Sequence, residues 1–300
     1  MSLIFLTPME KIICFGEVLW DTFDDGKKAG GAPMNVAMHL AQQGADVAFA
    51  SRVGEDPSGD ELVEYLKLNG LFSELIQRDD QLPTCEVTVD LDENNQATYI
   101  IPEPVSWDNI QTDNALDNAA IDARAIIFGS LACREETTRD TLLNLLDETK
   151  ALKIFDVNLR APHYTLSTIE TLTAKADVVK MNEDEAKLLI GGSNNDIREQ
   201  INEFRSKFHC HTICVTRGEH GAIVWHDHKF YDSPGCPAAP GGDSVGAGDS
   251  FLATFVAGLL ANQPMQDVVD RACAVGAFVA GKRGANPPYD EGIRKLLGLR

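Results

Sequence analysis

The chain has 300 residues, of which 44% are hydrophobic, and its formal net charge at pH 7 is −20. This acidity argues against nucleic acids and anionic membrane surfaces as partners, because both bind clusters of lysine and arginine. No apolar run is long enough to predict a transmembrane helix. The seven cysteines are odd in number and scattered, which predicts no disulfide framework and favours a reducing cytoplasm.

The start of the chain predicts a short leader and then a strand. Residues 1–8 are apolar but lack the basic segment and the long apolar core of a signal peptide. We expect them to be a leader or disordered, with the folded part over residues 9–300. Residues 11–15 form an apolar run that ends at Gly16, which is typical of a buried parallel strand, and the chain then leads outward to Asp21.

A glycine pair and a proline precede the first predicted helix. Gly30 and Gly31 come before Pro33, and a helical pattern continues to Gln43. Proline suits the first turn of a helix, and the glycines let a ligand lie against the backbone. The side chain of Asn35 offers both a donor and an acceptor. A simple turn followed by a helix with an internal asparagine would also explain this stretch.

Strands and helices then alternate until a hairpin interrupts them. Residues 46–53 predict a strand and residues 57–69 a helix, and this alternation favours βαβ units with a parallel sheet. Residues 84–101 instead alternate polar and apolar side chains around a turn at residues 92–95, which predicts a β-hairpin. Such a hairpin must either extend the sheet or project from it.

In the second half, residues 124–128 predict a buried strand and residues 135–149 a helix. The next strand ends in Asp156-Val157-Asn158-Leu159-Arg160. Ligands of open parallel sheets bind at this carboxyl edge. The planar guanidinium of Arg160 suits a phosphate or a sugar oxygen, although a salt bridge to a surface acid is the alternative.

Two later strands also lead into polar turns. A strand predicted over residues 177–181 is followed by Asn182-Glu183-Asp184-Glu185 at the start of a helix, where capping and dipole effects alone can explain polar residues. Thr216 ends another predicted strand, and Gly218 and Gly221 follow it in a turn, a spacing that is also typical of a hairpin.

The glycine-rich loop of residues 241–251 is the most informative stretch. Apolar residues at positions 252, 255, 256, 259 and 260 recur with helical spacing, so the glycines lie at the N-terminus of a helix. Free backbone N–H groups and the positive end of the helix dipole favour an anion there, most naturally a phosphate. Gly246 and Gly248 let the backbone approach that anion closely.

Asp249 lies beside this predicted phosphate site, where a phosphate repels a carboxylate. It is either the base that takes a proton from a hydroxyl attacking the phosphate, or an acid that stabilises its own helix. The loop alone leaves both interpretations open.

A second helix is predicted over residues 266–282. The chain has no G-x-x-x-x-G-K-[ST] motif, which excludes a Walker-type NTPase.

Two motifs resemble the signatures of one family. The stretch Asp243-Ser244-Val245-Gly246-Ala247-Gly248-Asp249 resembles the D-[TS]-x-G-A-G-D signature of the ribokinase-like (PfkB) carbohydrate kinases. Residues 29–37 and 54–59 resemble the family's N-terminal signature, in wording most similar to the fructokinase branch. The resemblance implies one α/β domain, with a central mostly parallel sheet flanked by helices. It also implies a small projecting β lid from about residues 17–28 and 84–101, through which two subunits would pair as a homodimer.

The resemblance implies an enzyme that phosphorylates a primary hydroxyl of a sugar with ATP, and its fructokinase wording favours the conversion of D-fructose to fructose 6-phosphate. Asp249 would be the base, and the N–H groups of residues 246–248 would receive the developing charge. The residues that it assigns to catalysis are Asp249, Gly246, Ala247 and Gly248. Those that it assigns to the sugar are Asp21, Gly31, Asn35 and Arg160, with Glu17 as an alternative to Asp21.

The same resemblance implies sites for ATP and cations. The residues it assigns to ATP are Asn182, Thr216, Gly218, Gly221, Gly246 and Gly248. Glu185 would hold Mg²⁺ through water, which is consistent with the few carboxylates that Mg²⁺ takes. Asp243, Val245 and Gly284 would hold a possible K⁺, although Pro288 stands where some members have a hydroxyl, which weakens that expectation.

Three functions are alternatives to a fructose kinase. A 2-keto-3-deoxygluconate kinase would use Arg160 to meet the substrate carboxylate. A non-catalytic sugar-sensing protein would keep the fold, but the intact Asp249 and its glycines count against it. A dinucleotide-binding oxidoreductase needs G-x-G-x-x-G directly after the first strand, and Gly16-Glu17-Val18 does not supply it.

Overall fold

The structure is a computed structural model that describes residues 11–23, 26–72, 74–91, 97–190 and 196–299. The predicted leader of residues 1–8 and the predicted turn of residues 92–95 lie outside the described residues. Among the described residues, no helix is both long and apolar enough to cross a membrane.

Strands and helices alternate along most of the described chain. The strands are β1 (Lys11–Phe15), β2 (Leu19–Phe23), β3 (Gly26–Gly30), β4 (Val47–Gly54), β5 (Ile76–Asp79), β6 (Glu86–Leu91), β7 (Ala97–Ile100), β8 (Ala123–Gly129), β9 (Leu152–Asp156), β10 (Val178–Asn182), β11 (Thr212–Thr216), β12 (Ala222–His226) and β13 (Lys229–Ser233). The helices are α1 (Ala32–Gln42), α2 (Pro57–Leu68), α3 (Asn114–Ile121), α4 (Glu136–Glu148), α5 (Leu166–Lys175), α6 (Glu183–Ile190), α7 (Ile197–Phe208), α8 (Ala247–Leu260), α9 (Met265–Ala280) and α10 (Glu291–Leu297).

The larger sheet has nine strands within the described residues, in the order β13-β12-β11-β10-β9-β8-β1-β4-β5. The pairs from β5 to β11 are parallel, whereas β12 and β13 are added antiparallel at one edge. The chain leaves β1 on one side for β4 and later returns on its other side through β8. Ligands of such sheets bind where the strand order reverses, so we expect a ligand site at the carboxyl ends of β1 and β8. The predicted mostly parallel α/β fold is confirmed.

A smaller sheet has the strand order β3-β2-β6-β7 in the described part of the chain. The predicted hairpin is confirmed, because β6 and β7 pair antiparallel. It does not extend the large sheet: β6 instead pairs parallel with β2, which forms its own hairpin with β3. The segments predicted for the lid therefore form one separate sheet, and its action as a lid stays a prediction.

Two apolar layers cover the faces of the large sheet. Ile13 and Phe15 of β1 pack in one layer, and Ile12 and Cys14 pack in the other, because successive side chains of a strand point to opposite faces. The first layer is completed by α3, α4, α5, α6 and α7, and the second by α1, α2, α8 and α9. Both helices that begin at a glycine loop, α1 and α8, thus lie on the same face and contact each other.

Candidate active site

A chain of hydrogen bonds joins the start of α1 to the start of α8 and to the loop before α10. The Asn35 Nδ2 group donates to Asp249 Oδ2 at 2.8 Å. The Asn286 Nδ2 group in turn donates to Asn35 Oδ1 at 2.8 Å. Asn35, assigned above to the sugar, is thereby held against Asp249, and it fixes the orientation of that carboxylate.

The glycine loop is shaped as an anion site needs. Gly246 is the N-cap of α8 with φ of 76°, a left-handed conformation that favours glycine. A Cβ at this position would lie 2.5 Å from the Ala285 carbonyl oxygen, so the loop also packs too closely for a side chain. The helix begins at Ala247, which places Gly248 and Asp249 in its first turn. The Ala247 N–H donates to the Ser244 carbonyl at 3.3 Å, whereas the N–H groups of Gly248 and Asp249 lack acceptors within the helix and can donate to an anion.

A buried ion pair lies under this loop. Lys180 of β10 donates from Nζ to both Asp156 oxygens, at 2.9 and 3.0 Å, and the two residues are neighbours across β9 and β10. The Lys180 Nζ atom lies 3.2 Å from the position of an ideal Cβ on Gly248. A positive charge therefore lies directly beneath the backbone that is expected to receive phosphate.

The carboxyl group of Asp249 has a raised pKa. Its burial in the protein raises the pKa, and the charges of Lys180 and Arg160 and the hydrogen bond from Asn35 offset this only in part. An acid whose pKa is raised in a cleft is a candidate for proton transfer, because it binds a proton more readily than an exposed aspartate.

Two more acids share this region. Burial raises the pKa of Asp21 to about 6, with Arg160 and Lys28 acting in the opposite direction. Burial raises the pKa of Glu17 to about 7, although it is near Arg160. Glu17 Oε1 accepts a bond from the Ala32 N–H at 3.3 Å, and its buried Oε2 has no hydrogen-bond partner.

The glycine pair before α1 lies against both acids. Gly31 has φ of 116°, and a Cβ there would lie 2.4 Å from the Glu17 carbonyl oxygen. A Cβ on Gly30 would lie 2.6 Å from Asp21 Oδ2. Both positions therefore exclude side chains, and the Asp21 carboxylate lies over the glycine backbone.

Asn182 and Glu185 form a reciprocal cap at the start of α6. The Asn182 N–H donates to Glu185 Oε2 at 2.8 Å, and the Glu185 N–H donates to Asn182 Oδ1 at 2.9 Å. Glu185 Oε1 also accepts the Leu159 N–H at 2.8 Å. The hydrogen bonds expected from helix capping are thus present. Glu185 also fixes the backbone just before Arg160.

The residues assigned to ATP lie along the adjoining strand ends. Asn182 and Thr216 are paired across β10 and β11. Gly218 and Gly221, in the turn after β11, have φ of 56° and 80°, which favours glycine at both positions. A Cβ on Gly221 would lie 2.0 Å from the Ser233 carbonyl oxygen, so this turn is closed by the end of β13.

Comparison with known proteins decides the family. Residues 2–291 match the pfkB family of carbohydrate kinases. The chain belongs to this family. It is 28% identical over 290 residues to fructokinase-2 of Solanum lycopersicum, covering 91% of this chain and 88% of that protein. It is 28% identical over 282 residues to a fructokinase of Salmonella typhimurium, covering 89% of this chain and 91% of that one.

A solved structure agrees with this result. An uncharacterised sugar kinase of Pyrococcus horikoshii in complex with ATP superimposes with a TM-score of 0.80 and 26% identity, covering 95% of this chain and 97% of that one. The expected family and fold are thereby confirmed, and the chain is an ATP-dependent sugar kinase.

The loops assigned to K⁺ are tied together in this kinase. Asp243 Oδ1 accepts the Val245 N–H at 3.1 Å, and Oδ2 accepts the Gly284 N–H at 2.8 Å. The structure thus brings the three residues together, as a shared cation site requires. Their binding of K⁺ stays a prediction.

Two residues that bear on the site of the kinase were missed in the sequence. Lys180 is one, because it lies inside an otherwise apolar strand. The other is His39, which is fully buried: its Nε2 donates to the Ala285 carbonyl at 2.9 Å, and its Nδ1 accepts from the Tyr289 hydroxyl at 2.8 Å. Burial lowers the His39 pKa to about 4, so the ring is neutral and holds the loop that packs on Gly246.

Proposed function

We propose that this kinase transfers the γ-phosphoryl group of ATP to the 6-hydroxyl of D-fructose. The observation that carries the proposal is the Asp249 carboxylate, held by Asn35 at the first turn of α8 beside backbone N–H groups. The fructokinases that it resembles over about nine-tenths of the chain support fructose as the acceptor.

In the proposed reaction, the sugar hydroxyl oxygen forms a bond to the γ-phosphorus while the bond to the β–γ bridging oxygen breaks. Asp249 accepts the hydroxyl proton, and ADP leaves with the bridging oxygen. The N–H groups from Gly246 to Gly248 stabilise the charge on the transferred phosphoryl, and Lys180 beneath them adds positive potential. Asn35 keeps one Asp249 oxygen engaged and leaves the other for the hydroxyl.

The sugar is proposed to lie over the Gly30–Gly31 backbone, between Asp21 and Arg160. Asp21 is half-buried and accepts hydrogen bonds from sugar hydroxyls when ionised. The small sheet of β2, β3, β6 and β7 begins at Leu19, two residues after Glu17, and this closeness in sequence supports the proposal that it is the lid that excludes water. Replacing Asp21 by alanine should raise the KM for the sugar by about 10–100-fold while the KM for ATP stays similar. An unchanged sugar KM would contradict this assignment.

The residues present also suit the two cations assigned to the site. Glu185 uses each oxygen for one backbone N–H, which leaves further lone pairs for water bound to Mg²⁺. Asp243 and the carbonyls of Val245 and Gly284 provide the oxygen donors that K⁺ would take. When bound, Mg²⁺ neutralises phosphate charge and supplies the positive charge that an acidic chain lacks.

A second acceptor, a 2-keto-3-deoxy sugar acid, is favoured by the state of Arg160. Its guanidinium is exposed and donates only to the Leu159 carbonyl at 3.1 Å, with no ion pair among the described residues. Its charge nonetheless acts on Glu17, Asp21 and Asp249, so it faces the site. A substrate carboxylate would find a free planar partner there.

The deciding experiment measures ADP release from Mg·ATP with fructose, ribose, 2-keto-3-deoxygluconate, a nucleoside or no sugar, with and without K⁺. Turnover on fructose alone would support the proposal. Turnover on the keto acid alone would replace it by the second candidate. Binding of a sugar without ADP release from any acceptor would contradict both and favour a sensing protein.

The homodimer through the lid is proposed on the edges of the small sheet. In the described part of that sheet, β3 and β7 are the outer strands, and outer strands offer unpaired backbone groups to another chain. Light scattering coupled to gel filtration tests this: a monomer at micromolar concentration would contradict it.

A further inference from the structure

A cavity of about 640 Å³ lies between the starts of α4 and α5. None of its lining residues belongs to the active site described above. Its volume falls within the range of roughly 300–1,000 Å³ that is usual for small-molecule sites. The lining comes from three segments: the chain after β7, the start of α4, and the loop from β9 into α5.

Arg139 is the uncommitted cation of this cavity. It is half-buried, and its Nη1 atom makes only long contacts to the carbonyls of Cys133 and Arg134, at 3.4 and 3.5 Å. Among the described residues no carboxylate forms an ion pair with it. Arg134, by contrast, is fully engaged, with Nε and Nη2 on the two oxygens of Asp108 at 2.8 and 2.7 Å. An arginine that lacks an acid in a chain of net charge −20 is available to an external anion.

The rest of the lining suits a hydroxylated molecule. Tyr164, Ser167, Thr168 and Thr171 bring hydroxyl groups to the cavity. The one acid in the lining is Glu103, which is already paired with His163 at 3.2 Å and lies near Arg134. The cavity therefore combines one planar cation with several hydroxyl groups, although the Thr168 hydroxyl already bonds to that of Thr165 and the Thr171 hydroxyl donates to the Ser167 carbonyl.

We propose that this cavity is a second binding site, for a small organic phosphate such as a phosphorylated sugar, with the phosphate on Arg139. A guanidinium binds phosphate through two parallel hydrogen bonds, and hydroxyl side chains bind sugar hydroxyls. The proposal concerns binding alone and does not depend on which sugar the kinase phosphorylates.

An occupant of the cavity would contact two segments that lead to the active site. The loop that supplies His163 and Tyr164 also carries Arg160, and the His163 N–H donates to the Arg160 carbonyl at 2.7 Å. Glu103 follows β7, an outer strand of the small sheet. The cavity is therefore connected through the chain to both the Arg160 loop and the small sheet.

Isothermal titration calorimetry of the full chain with fructose 6-phosphate tests this, using the unmodified protein, Arg139→Gln and Lys67→Gln. Lys67→Gln is the matched control, because it removes one positive charge from an exposed position on α2. We expect Arg139→Gln to bind one molecule fewer per chain than the other two, or to bind it at least about tenfold more weakly. Equal stoichiometry and affinity in all three would overturn the proposal.

Two further arms keep the test decisive. Arg139→Lys keeps the charge but loses the planar fork, so it should bind with intermediate affinity even if Arg139→Gln fails to fold. Inorganic phosphate should bind the same cavity more weakly than fructose 6-phosphate. Equal affinity for both would overturn the role of the hydroxyl lining. Since no arm measures turnover of fructose, a negative result here leaves the proposed reaction untouched, and the reverse also holds.

Discussion

Asp156 and Asp249 are two of the acids near Lys180, and they differ in how many of their oxygens accept hydrogen bonds. Asp156 is buried, and both of its oxygens accept hydrogen bonds from Lys180. Asp249 receives one hydrogen bond from a neutral amide and keeps an oxygen free. A carboxylate with both oxygens engaged supports the structure, whereas one that is half-buried and only partly hydrogen-bonded is available for chemistry. Glu17 resembles Asp249 in this respect, because its Oε2 atom has no hydrogen-bond partner.

The largest expected effect is on catalysis. Replacing Asp249 by asparagine should lower kcat by roughly 10²–10⁴-fold, because the amide cannot accept the hydroxyl proton. Binding of the sugar, measured by calorimetry, should stay similar. Asp80→Asn, at an exposed position, is the control and should keep full activity. Retained turnover in Asp249→Asn would remove the proposed base.

The next largest effect is on stability, and it distinguishes the ion-paired Asp156 from the partly unpaired Asp249. Replacing Lys180 by methionine leaves Asp156 buried without its partner and should destabilise the fold by roughly 3–5 kcal/mol in urea unfolding. The double variant Lys180→Met with Asp156→Leu removes both charges and should recover most of that stability, yet it should not recover kcat. Recovery of kcat together with stability would show that Lys180 serves the fold alone.

Glu17 predicts a pH dependence of stability. Its pKa of about 7 in the folded chain lies above the usual value, so the folded state holds this proton more tightly than the unfolded state. Its contribution to stability is complete below the usual glutamate pKa and is lost as the pH rises through about 7. Relative to Glu17→Gln, the unmodified chain should lose up to about 3 kcal/mol of unfolding free energy between pH 5 and pH 8.

Urea unfolding at the two pH values measures this difference. Glu64→Gln, an exposed change on α2, should retain the pH dependence of the unmodified chain. The same pH dependence in Glu17→Gln would contradict the assignment of this titration to Glu17.

The smallest effect concerns orientation of the base. Replacing Asn35 by alanine removes the hydrogen bond to Asp249 and should lower kcat by about tenfold. Because that bond helps to lower the Asp249 pKa, the acidic limb of the kcat profile should move to higher pH. Asn202→Ala on the exposed side of α7 is the control. A fall in kcat with an unmoved acidic limb would indicate that Asn35 contacts only the sugar.

The sequence predicted the elements that carry a local signal. Apolar runs gave the strands, alternation gave the β6–β7 hairpin, and glycines before helical spacing located the start of α8. These signals are local because helix and strand periodicity and turn chemistry act over a few residues. The predicted and observed bounds differ only near element ends, as in α4, which begins one residue later than expected.

Contacts between segments that are distant in the chain could not be predicted from such local patterns. Asn35 and Asp249 are separated by 214 residues, and Lys180 meets Asp156 only through the register of β9 and β10. One signal was available: a lysine inside the apolar run of β10 requires a buried acid, which would have pointed to a strand-end aspartate. The capping bonds of Asn182 and Glu185 were foreseen as an alternative, and the structure contains them. The roles assigned to the site residues stay predictions.

The bonds that join Asn286 to Asn35 and Asn35 to Asp249 have a consequence for biosynthesis. The ribosome makes Asn35 early and adds Asn286 251 residues later. A nascent chain that already contains Asp249 and the glycine loop still lacks Asn286, so Asn35 and Asp249 are not fully supported until residue 286 has been added. A chain that ends before residue 286 lacks the Asn286 bond to Asn35 and should therefore turn over ATP more slowly than the full chain.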